Sequence, residues 1–280
     1  MCTGMSERAA ISQFLEELGA IRDQIARDIT PNDTVLRILQ ILEELGQRLR
    51  QALRIAIVGE ANSGKTSLAN ALIGEDVLVT DLLGNTLASI LIRHAETPAL
   101  YLVAGDGTRE AVTEKSLDAV RTGRAYSLEL GLPSDRLRNV EIMDNPGLSP
   151  QGDGVVRLEQ ALQQADLAIW CTLATQAWKQ SESSLWSAAA QRSKPHSLLV
   201  ATHADALSDD DKGRLLQRLQ REAAAQFDDI AMISLRGGPP AERSGLGELL
   251  AKIDALLERA DRRRLQAAKH VVDRITSQMG

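Results

Sequence analysis

The string Gly59 to Ser67, GEANSGKTS, directly follows the apolar run Ile55-Ala56-Ile57-Val58. A Gly-x-x-x-x-Gly-Lys-Thr pattern in this position demands a buried strand, a tight turn and a helix in immediate succession. Gly59 and Gly64 let the backbone of Glu60, Ala61, Asn62 and Ser63 curl so that successive N–H groups point inward at a polyphosphate. Lys65 reaches toward the β- and γ-phosphates, and the Thr66 hydroxyl is placed to ligate a magnesium ion. The helix opening near Thr66 and Ser67 aims its positive end at the same anion. Leu68, Leu72 and Ile73 give that helix an apolar face. The implied ligand is a nucleoside triphosphate.

The 280 residues suffice for one large α/β domain with a helical attachment, or for two small domains. Hydrophobic content of 44% and charged content of 25% are those of a globular chain, and few aromatics leave the core to Leu, Ile, Val and Ala. A net charge of −6 argues against a general binder of nucleic acid or anionic membrane. The only cysteines, Cys2 and Cys171, form no disulfide framework or zinc spacing, which points to a reducing cytosol. The opening MCTGMSERAA has neither a basic leader nor an apolar core, so no signal peptide is expected. No apolar stretch is long enough to span a bilayer.

Three regions separate along the chain. Ile11, Phe14, Leu15, Leu18, Ile21 and Ile25 form one helical stripe. After the break Thr30-Pro31-Asn32-Asp33, where Pro31 or Asp33 suits a helix start, Val35, Ile38, Leu39, Leu42, Leu45, Leu49 and Leu53 form a second. Residues 1–53 are therefore expected to be a helical hairpin. Residues 54–245 alternate apolar strands with helical segments, the pattern of βαβ units around a mainly parallel sheet. The strands expected are Ile55–Val58, Ser89–Arg93, Leu100–Val103, Val140–Met143, Leu167–Cys171, Ser197–Ala201 and Ile230–Ile233. Residues 246–280 read as one long helix. Because two helices alone bury too little, this helix is expected to return and pack on the first two.

Two further strand ends carry chemistry. Val140-Glu141-Ile142-Met143 runs into Asp144-Asn145-Pro146-Gly147, an Asp-x-x-Gly turn. Asp144 there can hold a magnesium-bound water, and the Gly147 amide can hydrogen-bond a γ-phosphate, a contact that exists only while the third phosphate does. Leu198-Leu199-Val200-Ala201 delivers Thr202-His203-Ala204-Asp205. A carboxylate at Asp205 can accept two hydrogen bonds from guanine N1–H and N2–H₂, which adenine cannot offer. Taken alone, either aspartate better suits a turn or a helix cap. Ser234 and Leu235 follow the next strand, where backbone can meet the guanine O6.

In this order the motifs resemble those of a translation-factor-class GTPase, and IAIVGEANSGKTSLANALIGEDVLVT closely resembles the opening of bacterial dynamin-like GTPases. Asp144-Asn145-Pro146-Gly147 is similar to that family's Asp-Thr-Pro-Gly, and helices on both sides of the nucleotide domain also fit. The resemblance implies a P-loop GTPase domain with a mainly parallel sheet, flanked by an N- and C-terminal helical bundle. It also implies GTP and GDP as ligands, magnesium as cofactor and a nucleotide-dependent homodimer. Such proteins often act on membranes, so a cytoplasmic chain peripheral to the inner membrane is one expectation, and a protein partner is another. The flanks are short for a full dynamin stalk, as in a minimal member or a fragment. In switch I the resemblance implies a threonine; Thr86 is the choice, with Thr80 as competitor, and its hydroxyl would complete the magnesium shell.

Several departures matter. His203 replaces the lysine usual in the guanine motif, so Asp205 is left to carry base preference. Ala61 stands where animal dynamins place a catalytic Gln, and Leu148 where small signalling GTPases use one. Asn62 matches the Asn that helps hold potassium in cation-dependent GTPases, which makes Lys65, Thr86 and Asn62 the expected catalytic set, with K⁺ as a second cation; a purely loop-shaping role for Asn62 is the alternative. No internal arginine finger is identifiable, so turnover should be slow until the chain dimerises or meets an activator. The competing function is a GTP-gated monomeric binding module for ribosome assembly or another protein complex. Arg262-Arg263-Arg264 reads as a solvated helix face.

Overall fold

The computed structural model describes residues 4–78, 88–113, 127–149, 152–189, 195–235 and 245–279. The chain forms two compact units, one of residues 53–253 and one of residues 1–52 together with 254–280.

Among the described residues, the larger unit is built on a nine-stranded sheet. Its strands are β1 (Leu53–Gly59), β2 (Ser89–His94), β3 (Ala99–Val103), β4 (Arg109–Ala111), β5 (Ser127–Leu132), β6 (Val140–Asp144), β7 (Leu167–Leu173), β8 (His196–Thr202) and β9 (Asp229–Met232), in the order β4-β3-β5-β2-β6-β1-β7-β8-β9. From β6 to β9 every neighbour is parallel. β2 instead runs antiparallel to β6, and β3 antiparallel to β4 and β5. All seven strands expected from the sequence are present. β4 and β5 were missed, the first because it has only three residues, all exposed, and so no apolar alternation to read.

Strand alternation sorts the core into two layers. Ala56, Val58, Met143, Ala168, Trp170, Leu199 and Ala201 pack in one buried cluster with Leu158, Leu162, Leu185, Trp186, Leu215 and Leu219. These last residues come from helices that follow the sheet strands, numbered here after α1 (Gly4–Asp28), α2 (Asp33–Arg50) and α3 (Lys65–Ile73): α4 (Gly154–Gln163), α5 (Gln180–Ala188) and α6 (Asp209–Glu222). Ile55 and Ile57 point to the opposite face, where α3 lies against β1 and β6. All three tryptophans join Phe227 in one knot: Trp170 meets Trp178 and Trp186 edge-on at 6.0 and 5.7 Å, and Trp186 stacks on Phe227 at 4.6 Å. Edge-on and offset packing is what the ring quadrupoles favour.

The smaller unit consists of α1, α2 and the later part of α7 (Leu246–Met279). Ile11, Phe14, Leu18 and Ile25 bury against Val35, Leu42 and Leu49 and against Leu265, Ala268, Val272 and Ile275. Of the two expected helix starts, Asp33 and not Pro31 opens α2, and Asn32 caps it: its side chain accepts from the Val35 N–H at 2.9 Å. The extended backbone of Asn32 suits a cap, and Asp33 takes the first helical position. Arg8 pairs with the buried Asp261 at 2.8 Å, and Arg262 with Glu7 at 2.9 Å, so part of the basic run is spent inside this unit. None of the described helices is long and apolar enough to cross a membrane.

Leu42 is 1% exposed at the centre of the three-helix core. Leu42→Ala is expected to destabilise that unit by about 3 kcal/mol through lost burial and the cavity left behind. Chemical denaturation followed by circular dichroism measures it; an unchanged transition would contradict this packing.

Candidate functional site

Parallel pairing sets the carboxyl ends of β6, β1, β7 and β8 side by side, the position where an open α/β sheet offers a binding crevice. Each sequence-predicted motif within the described residues leaves from one of these ends or, for Ser234 and Leu235, from the adjoining parallel strand β9.

The phosphate loop is shaped by contacts that only glycine permits. Gly59 has φ of +145°, and a Cβ on it would lie 2.3 Å from the Cys171 carbonyl oxygen at the end of β7. Gly64 caps α3 in the left-handed conformation. Asn62 is also left-handed, at φ 58°, a conformation that Asn tolerates better than most residues. The turn buries Ser63, whose Oγ has no hydrogen-bond partner among the described residues. Lys65 opens α3, one residue before the Thr66 start expected, and its ammonium donates to the Glu60 carbonyl at 2.7 Å. Burial pulls the Lys65 pKa down from its ordinary value. Anionic oxygens are what such a desolvated cation and the loop's N–H groups would receive best. Ser67 follows on the exposed side of the first turn.

Thr66 Oγ1 donates to Asp144 Oδ2 at 2.8 Å, which joins the start of α3 to the end of β6. The other oxygen, Asp144 Oδ1, is buried with no hydrogen-bond partner among the described residues. Burial raises the Asp144 pKa to about 6, against the opposing pull of the Thr66 hydroxyl and the Lys65 charge. A buried carboxylate oxygen without a donor is costly, and a cation or its bound water relieves that cost. The hydroxyl and carboxylate are a donor set that a magnesium ion would fit.

Beyond Asp144, a Cβ on Gly147 would lie 2.8 Å from the Ala61 Cα and 2.9 Å from its nitrogen. The Asp-x-x-Gly loop thus rests directly on the phosphate loop, and the Leu148 N–H donates to the Gly59 carbonyl at 3.0 Å. Asn145 explains the fixed approach. Its amide donates to the Ile57 and Met143 carbonyls at 3.1 and 3.2 Å, and its oxygen accepts from Ser89 at 3.0 Å. This side chain, overlooked in the sequence, staples β6 to β1 and to the start of β2.

On the base side, Thr202 Oγ1 lies 2.9 Å from the Ser63 carbonyl and 3.2 Å from the Thr172 carbonyl. Thr202 is therefore a link between β8 and the phosphate loop. His203 is left-handed at φ 56°, which brings its ring beside Gly64. Asp205 Oδ1 accepts from Ser234 Oγ at 2.8 Å, joining two motifs that lie far apart in sequence. Leu235 follows, half-buried. Thr86 and its competitor Thr80 lie outside the described residues.

Sequence reading also missed the corner between β7 and α5. The Glu60 carboxylate takes Lys179 Nζ at 3.0 Å and Ser181 Oγ at 2.8 Å. The buried Glu182 accepts from the Lys179 N–H and the Thr172 hydroxyl, both at 2.9 Å, and from Trp170 Nε1 at 3.3 Å. Only half of a capping box is present, the Glu182 carboxylate accepting the Lys179 N–H, and with lysine in place of Ser or Thr at the N-cap the sequence carried little signal for it.

Gly59→Ala would force a methyl group against the Cys171 carbonyl in a backbone conformation that alanine avoids. A loss of nucleotide affinity of at least about tenfold is expected, since the loop must shift away from its anion-binding shape. Isothermal titration with GTP measures it, and wild-type affinity would overturn this account of the loop.

Comparison with known proteins agrees with this geometry. Residues 54–203 match the family described as 50S ribosome-binding GTPase. Dynamin-like protein 2 of Campylobacter jejuni is 27% identical over 201 residues, covering 70% of this chain and 33% of that protein. The isoniazid-induced protein IniC of Mycobacterium tuberculosis is 30% identical over 155 residues, covering 46% of this chain and 31% of that one. The matched region thus spans about a third of these curated relatives. Among solved structures, a chain of an oligomerised bacterial dynamin pair superposes with a TM-score of 0.65 at 18% identity, over 97% of this chain and 56% of its own. With its family match running over the phosphate loop, the Asp144 strand and the Thr202 strand, the chain belongs to the 50S ribosome-binding GTPase family.

Proposed function

We propose that this protein is a dynamin-like switch that assembles through its nucleotide domain and completes its GTPase site in doing so. The observation that carries the proposal is a gap in the catalytic set. Ala61 has no group to orient water, and Leu148 is buried. No glutamine stands at either place where related enzymes position the attacking water. A group brought by a second copy would supply what these positions lack. Similarity to Dynamin-like protein 2 and the fold shared with the dynamin pair support this reading.

In this mechanism the loop from Gly59 to Ser67 cradles the phosphates, and Lys65 leaves the Glu60 carbonyl to pair with the β- and γ-phosphates. Thr66 and Asp144 would hold magnesium, which would offset charge on the phosphates. The Gly147 amide senses the γ-phosphate, and because Gly147 sits on Ala61 the Asp-x-x-Gly loop responds to its loss. Asp205, oriented by Ser234, selects guanine, while the backbone of Ser234 and Leu235 and the ring of His203 border the base. Asn62, exposed and left-handed, would help to hold a potassium ion, whose charge would offset that of the phosphates. The helical unit adds to an assembly made through the nucleotide domain, and peripheral attachment to the inner membrane belongs to the same reading.

A second reading has one specific observation in its favour, the ribosome-binding description of the family. A monomeric GTP-gated module would turn over slowly at every protein concentration and bind a single partner.

Turnover measured across protein concentrations in potassium buffer separates the two. Specific activity should rise with concentration, disappear in Lys65→Ala, and fall when sodium replaces potassium. Flat Lys65-dependent activity would favour the monomeric module, and indifference to the cation would remove Asn62 from the catalytic set. Asp205→Ala should cost about tenfold or more in preference for GTP over ATP, read by nucleotide competition.

A further inference from the structure

The phosphate loop contains a negative charge of its own. Glu60 follows Gly59 directly, and its carbonyl is the resting partner of Lys65 at 2.7 Å. A carboxylate in a triphosphate cradle opposes binding unless its charge is compensated and its position fixed. Here both conditions are met from outside the loop, by the Lys179 ammonium at 3.0 Å and the Ser181 hydroxyl at 2.8 Å. The hydrogen bond to Glu60 is also the largest cause of a raised Lys179 pKa.

The backbone beneath Lys179 is built to hold it. Trp178, immediately before it, is left-handed at φ 56°, an outlying conformation for a bulky residue. Such strain persists only where the surroundings over-determine it. They do so here. The Trp178 N–H donates to Thr172 Oγ1 at 3.2 Å, and its ring meets Trp170 and Phe227 at 6.0 and 5.1 Å. Glu182, 2% exposed, accepts the Lys179 N–H and returns through Thr172 and Trp170 to β7. β7 is also the strand whose Cys171 carbonyl meets Gly59. The end of β7 therefore touches the loop twice, once through backbone and once through this side-chain arm.

We propose that Lys179 is a positioning residue for GTP binding: acting through the Glu60 carboxylate, it neutralises that charge and fixes the turn from which Lys65 is offered to the phosphates. The proposal rests on the reading of Gly59–Ser67 as the GTP phosphate site. Its effect should fall on nucleotide affinity and KM, with kcat little changed, because Lys179 acts on the loop and touches no reacting atom.

A double-mutant cycle tests it, with fluorescent GTP and GDP titrations and steady-state turnover on the full chain. Lys179→Ala should weaken GTP binding and raise KM by about fivefold, the scale of one partly exposed ion pair. Lys179→Arg should recover most of that loss. In a Glu60→Gln background, Lys179→Ala should change affinity less than about twofold, since the charge it compensates is gone. An equal loss in both backgrounds, or no loss in the wild-type background, would overturn the proposal. Intrinsic tryptophan fluorescence on heating keeps a folding defect from passing as lost affinity. Lys65→Ala, titrated alongside, isolates the underlying assumption: GTP affinity unaffected by that change would unseat the phosphate site itself, whatever Lys179 does.

Discussion

Much of this fold hangs on the parallel insertion of β1 between β6 and β7. Ile55, Ala56, Ile57 and Val58 are buried to within 2% of completeness, which removes water from both faces of the strand. The register then decides what meets what. Ile57 opposite Asp144 places that carboxylate beside the start of the phosphate loop, and Gly59 opposite Cys171 closes that loop against β7. A shift of one residue would exchange the two faces and separate Thr66 from Asp144. The hydrophobic burial of one strand thus fixes polar geometry several residues downstream.

That dependence makes the site polar but stiff. Thr66 with Asp144, Thr202 with Ser63, Asn145 with Ile57 and Ser234 with Asp205 are short links between different strand ends. Each binds a motif to its neighbour, so preorganisation comes from the sheet and little must be ordered when nucleotide arrives. The groups left over, Asp144 Oδ1 and Ser63 Oγ, lie where charge and hydrogen-bond donors on a magnesium nucleotide would complete them.

The skeleton was legible in the sequence because its signals are local. A phosphate loop must have its glycines, and buried strands announce themselves by apolar runs; each of the expected strands found its place in the sheet. The failures share a different physics. β4 is short and wholly exposed, and the reversed direction of β2 against β6 depends on a connection whose path carries no local pattern. Asn145 stands where the similar Asp-Thr-Pro-Gly motif has threonine, and its amide offers two N–H donors and an acceptor in place of one hydroxyl, all three of them used.

Glu60 and Lys179 show why pairwise electrostatics is the hardest part to read. They are distant in sequence, each is an ordinary charged residue in its own segment, and neither spacing nor composition predicts the meeting. What betrays the pair is the investment around it: a left-handed tryptophan and a buried glutamate on the far side of the loop. Neither feature improves packing by itself, and both carry a cost in isolation. Together they fix the backbone from which Lys179 reaches the loop. Strain and buried charge on elements outside Gly59–Ser67 are thus the local features that accompany the Glu60–Lys179 pair.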